Sequence, residues 1–172
     1  MTTIAYHMDP KTGSSQLAAD CLMRYGNHNI ITTKIVQLCD GSWFAQAGES
    51  LGIQRFLDWY NSGGAPENRP SPCGEGTSFQ GIQVTATPIG TDQFHLRVTL
   101  WSDDYCGEEV PFSGTYALGS GGDLVLGALG ASATLIEAIR IASRHDASTG
   151  LQIQVVDLPH GETTFWPIEP QD

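Results

Sequence analysis

Short runs rich in β-branched and aromatic residues, separated by turn residues, make up most of this chain, and only three stretches carry helical spacing. The order is several strands, one helix, more strands, two helices and a strand. Strands grouped around paired helices fit two antiparallel sheets with helices packed outside, an α+β layered fold.

Thr2–Met8 reads as a strand, Asp9-Pro10-Lys11-Thr12-Gly13 as a turn, and Gln16–Asp20 as the return strand of a hairpin. After a turn at Tyr25-Gly26-Asn27, Ile30–Leu38 reads as one strand. Asp40-Gly41 turns the chain into a strand at Trp43–Ala47. The first helix starts at Gly48-Glu49-Ser50 and carries Ile53, Phe56, Leu57 and Tyr60 on one face, with Gly63-Gly64 as its stop. Residues 61–77 form a long polar loop, a length usually tied to function or disorder. Phe79–Thr87 and Phe94–Leu100 alternate as strands. Leu124–Leu129 is apolar nearly all round, which predicts a buried helix. Thr134 and Glu137 make a capping box ahead of a helix whose buried stripe is Leu135, Ala138, Ile139 and Ala142. A last strand covers Leu151–Val156, and the tail 158–172 reads as irregular. Residues 1–172 read as a single domain of a size that holds a sizeable core.

The N-terminus carries chemistry. Removal of Met1 leaves Thr2 with a hydroxyl and a free α-amine on one residue, a nucleophile with its own base. The amine has an ordinary pKa of about 7.7–8.0, which suits a general base near neutrality. A lysine near the threonine oxygen favours its alkoxide, and an aspartate holds that lysine charged; Lys34 and Asp20 are the candidates. The plain alternatives are that Thr2 simply opens a first strand and that Asp20 and Lys34 form a structural ion pair.

Eight basic residues against 19 acidic ones give a formal charge of −11, which repels phosphate backbones and argues against nucleic-acid binding. No apolar run is long enough to cross a bilayer, and no basic segment leads into an apolar one as in a signal peptide. A cytoplasmic location is the expectation, without membrane partners. Cys21, Cys39, Cys73 and Cys106 are scattered with no Cys-x-x-Cys pair and point to neither zinc nor a disulfide framework. The histidines are equally scattered.

Several separated pieces occur in an order that resembles the N-terminal-nucleophile hydrolases of the proteasome β-subunit type, in particular the bacterial ring peptidase HslV and its shorter bacterial and phage-encoded relatives. They are Thr2-Thr3-Ile4, Ala19-Asp20 followed by Tyr25-Gly26-Asn27, Thr33-Lys34-Ile35, Ala47-Gly48-Glu49, Ala117-Leu118-Gly119-Ser120-Gly121-Gly122-Asp123, and Asp146 with Thr149-Gly150. Residues 61–113 match weakly, and the tail beyond Val156 does not match. The resemblance implies a four-layer αββα sandwich with the active site where the N-terminal strand emerges. It implies Thr2 as nucleophile, Lys34 stabilising the threonine oxygen, Asp20 orienting Lys34, and Ser120 bonded to the amine. Asp146 and Thr149 brace that corner on this reading; on the plain one they cap a helix end. The backbone N–H of Ala45 falls, by position, on the family's oxyanion donor. No cofactor is implied beyond a monovalent cation held by the carbonyls of Ser143, Asp146 and Thr149.

Three functions follow. The first is a threonine peptidase cleaving peptides or unfolded proteins inside a homo-oligomeric ring, with an ATP-dependent unfoldase as a compatible partner. The second is a catalytically silent structural subunit that keeps Met1. The third is an N-terminal-nucleophile amidase acting on small molecules. Lys34 favours the peptidase, because it belongs to the proteasome-like branch.

Overall fold

The computed structural model describes residues 2–168. Among these are twelve strands and three α-helices. The first sheet contains β1 (Thr3–Met8), β2 (Ser15–Asp20), β10 (Thr115–Gly119), β11 (Gln152–Leu158) and β12 (Glu162–Pro167), in the order β10-β1-β2-β11-β12. The second contains β5 (Ile35–Gln37), β6 (Trp43–Gly48), β7 (Phe79–Gly90), β8 (Gln93–Trp101) and β9 (Gly107–Val110), in sequence order. A separate two-stranded ribbon pairs β3 (Leu22–Tyr25) with β4 (His28–Ile31). Every pairing is antiparallel. The fold is therefore mixed α+β and strand-rich.

Strand alternation sorts side chains between separate cores. Ile4, Tyr6, Leu17, Ala19, Val156 and Leu158 of the first sheet meet Ile35, Ala45, Ala47, Ile82, Val84 and Val98 of the second in one buried cluster. The opposite face of the first sheet presents Ala5, Ala18, Ile153 and Val155 to α2 (Gly122–Gly130) and α3 (Leu135–His145). Two alanines at the centre of that face let the helices approach closely. The opposite face of the second sheet packs Phe44 and Phe79 against α1 (Ser50–Asn61) through Phe56 and Trp59. Phe56 is the hub, with ring centroids 4.6 Å from Phe44, 4.7 Å from Phe79 and 4.9 Å from Trp101. Such aromatic pairs add to the area they bury.

The sequence reading holds for the β1–β2 hairpin, and for α3 with its Thr134–Glu137 capping box and all four stripe residues buried. It differs elsewhere for physical reasons. The expected strand Ile30–Leu38 is two strands, because β4 pairs with β3 whereas β5 pairs with β6 and the link turns Lys34 inward. The α2 helix is not buried all round: Val125 and Ala128 face the sheet, while Leu124 and Leu126 are exposed. Glu49 does not lie in the first turn of α1; it is the N-cap residue, without a side-chain cap bond. Strand β9 lies within residues 61–113, the stretch that matches the resembled family weakly. A short 3₁₀ turn, Pro66–Asn68, interrupts the 61–77 loop. The tail is not irregular through its first part, since β12 pairs with β11 from Gln152↔Pro167 to Asp157↔Glu162. Residues 169–172 lie outside the described residues, as does Met1. Among the described residues, no helix is long and apolar enough to cross a membrane.

The aromatic cluster under α1 sets a stability test. Phe56→Ala removes a fully buried ring that contacts both sheet strands and Trp101. It should cost about 3–5 kcal/mol in a chemical-denaturation experiment. A loss within experimental error of zero would show that α1 does not hold the second sheet in this way.

Candidate active site

Asp20 ends β2 with no exposed surface. Its Oδ1 accepts the Thr3 N–H at 2.7 Å and Lys34 Nζ at 3.0 Å. Its Oδ2 accepts the Leu22 N–H at 2.9 Å, Lys34 Nζ at 3.1 Å and the Gly150 N–H at 3.2 Å. One carboxylate thus ties together β1, the entry to β3, the turn before β11 and the lysine. Burial pushes the Asp20 carboxyl up from its ordinary value, and the Lys34 charge and the N–H donors pull against that. Burial likewise pushes the Lys34 ammonium down, with Asp20 opposing. Cys21 beside them stays a thiol, because burial pushes it up to about 11.

Lys34 is held from both sheets. Its N–H and that of Ile35 both donate to Gln154 Oε1 at 3.0 Å, while Gln154 Nε2 donates to the Ile35 carbonyl at 2.9 Å. The Lys34 carbonyl accepts the Gln46 N–H at 3.0 Å. These bonds fix the backbone from which the Lys34 side chain reaches Asp20.

The Thr2 carbonyl accepts the Ser120 N–H at 3.0 Å. Gly119 makes that approach feasible: its φ is +87°, and a Cβ there would overlap the Thr2 carbonyl oxygen. The Ser120 hydroxyl donates to Asp146 Oδ2 at 2.6 Å, and Thr149 Oγ1 donates to the same oxygen at 2.7 Å. Thr149 Oγ1 lies 2.5 Å from Thr3 Oγ1, which in turn accepts the Gly121 N–H at 3.2 Å. With the Thr149 proton committed to Asp146, Thr3 is the donor to Thr149. Burial opposes the Asp146 charge, but bonds from Ser120, Thr149 and the Ser148 N–H hold its carboxyl below the ordinary value. The structure thus brings Ser120, Asp146 and Thr149 together at the Thr2 corner, where Ser120 reaches Thr2 through its N–H. The removal of Met1 expected from the sequence falls outside the described residues.

A cleft of about 460 Å³ opens between the β3–β4 ribbon, the end of β6 and the start of α1. Thr2, Lys34, Gln46 and Gly48 line it together with Leu22, Thr33 and Ile53. Ala45 does not line it, and ladder geometry gives the reason. The Glu49 N–H bonds the Ser78 carbonyl at 2.8 Å, on the same register as the pairs Ala47↔Gln80 and Ala45↔Ile82. Antiparallel ladders alternate, so the Ala45 N–H points into β7. The Gln46 N–H points the other way, to Lys34, and the Gly48 N–H shares that direction beyond the start of β5. The backbone donor at the cleft is therefore Gly48, not the expected Ala45. Gly48 has φ +123°, and a Cβ there would run into the Ser78 carbonyl, so only glycine fits. Gln46 Oε1 is buried with no hydrogen-bond partner among the described residues.

The three carbonyls assigned to a monovalent cation lie at the end of α3, on Ser143, and in the turn that follows it, on Asp146 and Thr149. The Asp146 carbonyl accepts the Thr149 N–H at 3.0 Å, and the Ser143 hydroxyl donates to the Arg140 carbonyl at 2.8 Å. Among the described residues, no cluster of three His, Cys, Asp or Glu side chains is placed to hold a metal ion.

Sequence reasoning missed Thr3, Gln46 and Gly48. Thr3 stands next to the residue under scrutiny and carries no pattern of its own. Gly48 had a usable signal: a glycine that ends a strand and precedes a helix start.

Comparison with known proteins adds no identity: no protein-family model matches the chain. A search of curated proteins finds no match either.

The buried pair gives a prediction with a defined pH sign. Lys34→Met keeps bulk but leaves the Asp20 carboxylate buried with backbone donors alone, and should cost about 3–5 kcal/mol at neutral pH. Without the lysine the Asp20 carboxyl rises further, so the folded state binds a proton that the unfolded state at 3.8 releases. The Asp20 contribution to this variant's stability therefore increases as pH falls toward 3.8, and the deficit against wild type narrows. Denaturant titrations at several pH values should show that narrowing. A constant or widening deficit would contradict the assigned pairing.

Proposed function

We propose that this protein is a threonine-type peptidase with an N-terminal nucleophile, built as a four-layer αββα sandwich of the proteasome β-subunit and HslV type. The observation that carries the reading is one cleft onto which Thr2, an Asp20-bound Lys34 and the Gly48 N–H all open. The order of three apolar clusters, helix to sheet, sheet to sheet and sheet to helices, supports the layered architecture.

The chemistry follows from these groups. With Met1 removed, the Thr2 amine accepts the proton of its own hydroxyl, and the oxygen attacks the scissile carbonyl. Lys34 stabilises the charge on the threonine oxygen. The Gly48 N–H donates to the oxyanion that forms, a type of contact worth about 10²–10³ in rate. The protonated amine gives its proton to the leaving nitrogen, the C–N bond breaks, and an ester to Thr2 remains. Water, deprotonated by the same amine, then cleaves the ester and restores the hydroxyl. A homo-oligomeric ring enclosing the cleft, fed with unfolded protein by an ATP-dependent unfoldase in the cytoplasm, is the assembly that goes with this activity.

The cleft volume favours a second reading. About 460 Å³ falls in the range of small-molecule sites, as an amidase acting on small amides requires. The two readings share the nucleophile and differ in substrate.

Fluorogenic peptides and small acyl amides assayed side by side separate them. Peptide hydrolysis should be measurable in wild type, absent in Thr2→Ala, and partly kept in Thr2→Ser, which retains both hydroxyl and amine. All three should unfold at the same temperature to within a few degrees. Unchanged hydrolysis by Thr2→Ala would end the mechanism, and turnover of small amides alone would select the amidase.

A further inference from the structure

Side chains alternate along β6. Ala45 and Ala47 point into the core between the sheets, so Phe44 and Gln46 point to the opposite face, toward α1. Ile53 and Leu57 of α1 line the cleft together with Gln46. Across the ladder Gln46 meets Gly81, which has no side chain to offer, and the Phe44 ring occupies the space where a Cβ of that glycine would lie. In this apolar surrounding Gln46 Oε1 is buried without a hydrogen-bond partner among the described residues.

The two fully buried glutamines behave differently. Gln83 donates from Nε2 to Ser42 Oγ at 2.8 Å and to the Tyr60 hydroxyl at 2.7 Å, and its Oε1 accepts Trp101 Nε1 at 3.0 Å. Gln154 accepts two backbone N–H groups and donates to one carbonyl. A buried acceptor left unfilled costs free energy. Enclosed water is a poor remedy here, because it is held by about two to four polar partners. The side chains of Phe44, Ile53 and Leu57 supply none.

We propose that Gln46 selects the acyl group that Thr2 receives, and that the selected group ends in a primary carboxamide, as a glutamine side chain does. Gln46 stands beside the reacting groups: its N–H is bonded to the Lys34 carbonyl, and Gly48 follows two residues later. The last torsion of a glutamine side chain is soft, so Oε1 turns to meet a donor that enters the cleft. A carboxylate brings no proton to it. An ammonium brings one, but sets a second positive charge beside Lys34, and Glu49, the carboxylate of the lining, is exposed to water. A carboxamide brings an N–H without a charge, and the hydroxyls of Thr33 and Ser50 in the lining are donors for its carbonyl oxygen. The proposal rests on the peptidase reading for the step after binding and not for the binding itself.

Peptides of one sequence that differ only at the residue whose carbonyl is attacked test it. That residue is glutamine, glutamate γ-methyl ester, norleucine or lysine; the ester has nearly the shape of glutamine but no N–H. The glutamine peptide should exceed each of the others by about tenfold or more in kcat/KM, the order of loss when a site's polar group is left unpaired. Gln46→Met keeps length without the polar end. It should erase that preference, favour norleucine, and unfold at the wild-type temperature or above, because the lost acceptor had no partner. A glutamine with a purely structural role would lower that temperature; if this variant does not fold, the wild-type series decides alone. Calorimetry of the same peptides with Thr2→Ala separates the two readings. A binding order led by glutamine, with no hydrolysis by wild type, would end the peptidase and leave the selectivity standing. Hydrolysis or binding that treats glutamine and its ester analogue alike, or no binding of any peptide, would overturn the inference.

Discussion

The Asp20 carboxylate is the interaction on which the rest of this site depends. It accepts N–H groups from Thr3, Leu22 and Gly150 and both of its oxygens bind Lys34. A buried charge of this kind is tolerated only because its lone pairs are filled. Because its partners come from four separate parts of the chain, the same bonds fix where the N-terminal strand ends, where the ribbon starts, and where the lysine points. The pair adds little to net stability over an apolar replacement of both partners, yet loss of one partner is costly. Its worth lies in position: it aims an ammonium at the cleft that Thr2 lines.

Around that centre, two ordinary rules of strand geometry shape the cleft. Alternation of side chains sends Ile4 and Tyr6 between the sheets and Ala5 beneath α2 and α3, which leaves β1 buried from Thr3 to Tyr6. Alternation of backbone donors turns the Gly48 N–H to the side opposite β7. Glycine at 48 and 119 then permits two close backbone approaches that any side chain would block. On the opposite side of Thr2, the hydroxyls of Thr3, Thr149 and Ser120 converge on Asp146. Packing, ladder geometry and a few buried polar bonds thus combine to put Thr2, Lys34 and Gly48 on one cleft.

Much of this was legible in the sequence where a local rule determines structure. The capping box at Thr134–Glu137 and the stripe from Leu135 to Ala142 depend on neighbours three and four residues away, and both read directly. The meeting of Asp20 with Lys34 is a long-range contact that no periodicity encodes; it came from the residue types that the chemistry requires. Reading failed where tertiary pairing overrides local pattern. Residues 30–38 look like one strand but are divided between two partners, and Leu124–Leu129 looks buried but presents leucines to solvent. The resemblance puts the donor at Ala45 by position, but which way an N–H points depends on the register with β7, which the sequence does not display. Strand β12 was missed because its residues are exposed on both faces, so no alternation marks it.

The central claim is that Thr2, freed of Met1, is a nucleophile supported by Lys34. Intact-mass spectrometry of the purified protein before and after exposure to a threonine-directed epoxyketone tests it most directly, because that reagent needs both the hydroxyl and the free amine of one residue. The account predicts a chain beginning at Thr2 that gains one reagent mass, with the adduct mapped to Thr2 by peptide sequencing. A chain that keeps Met1 and gains no mass would contradict it and leave a catalytically silent subunit as the reading.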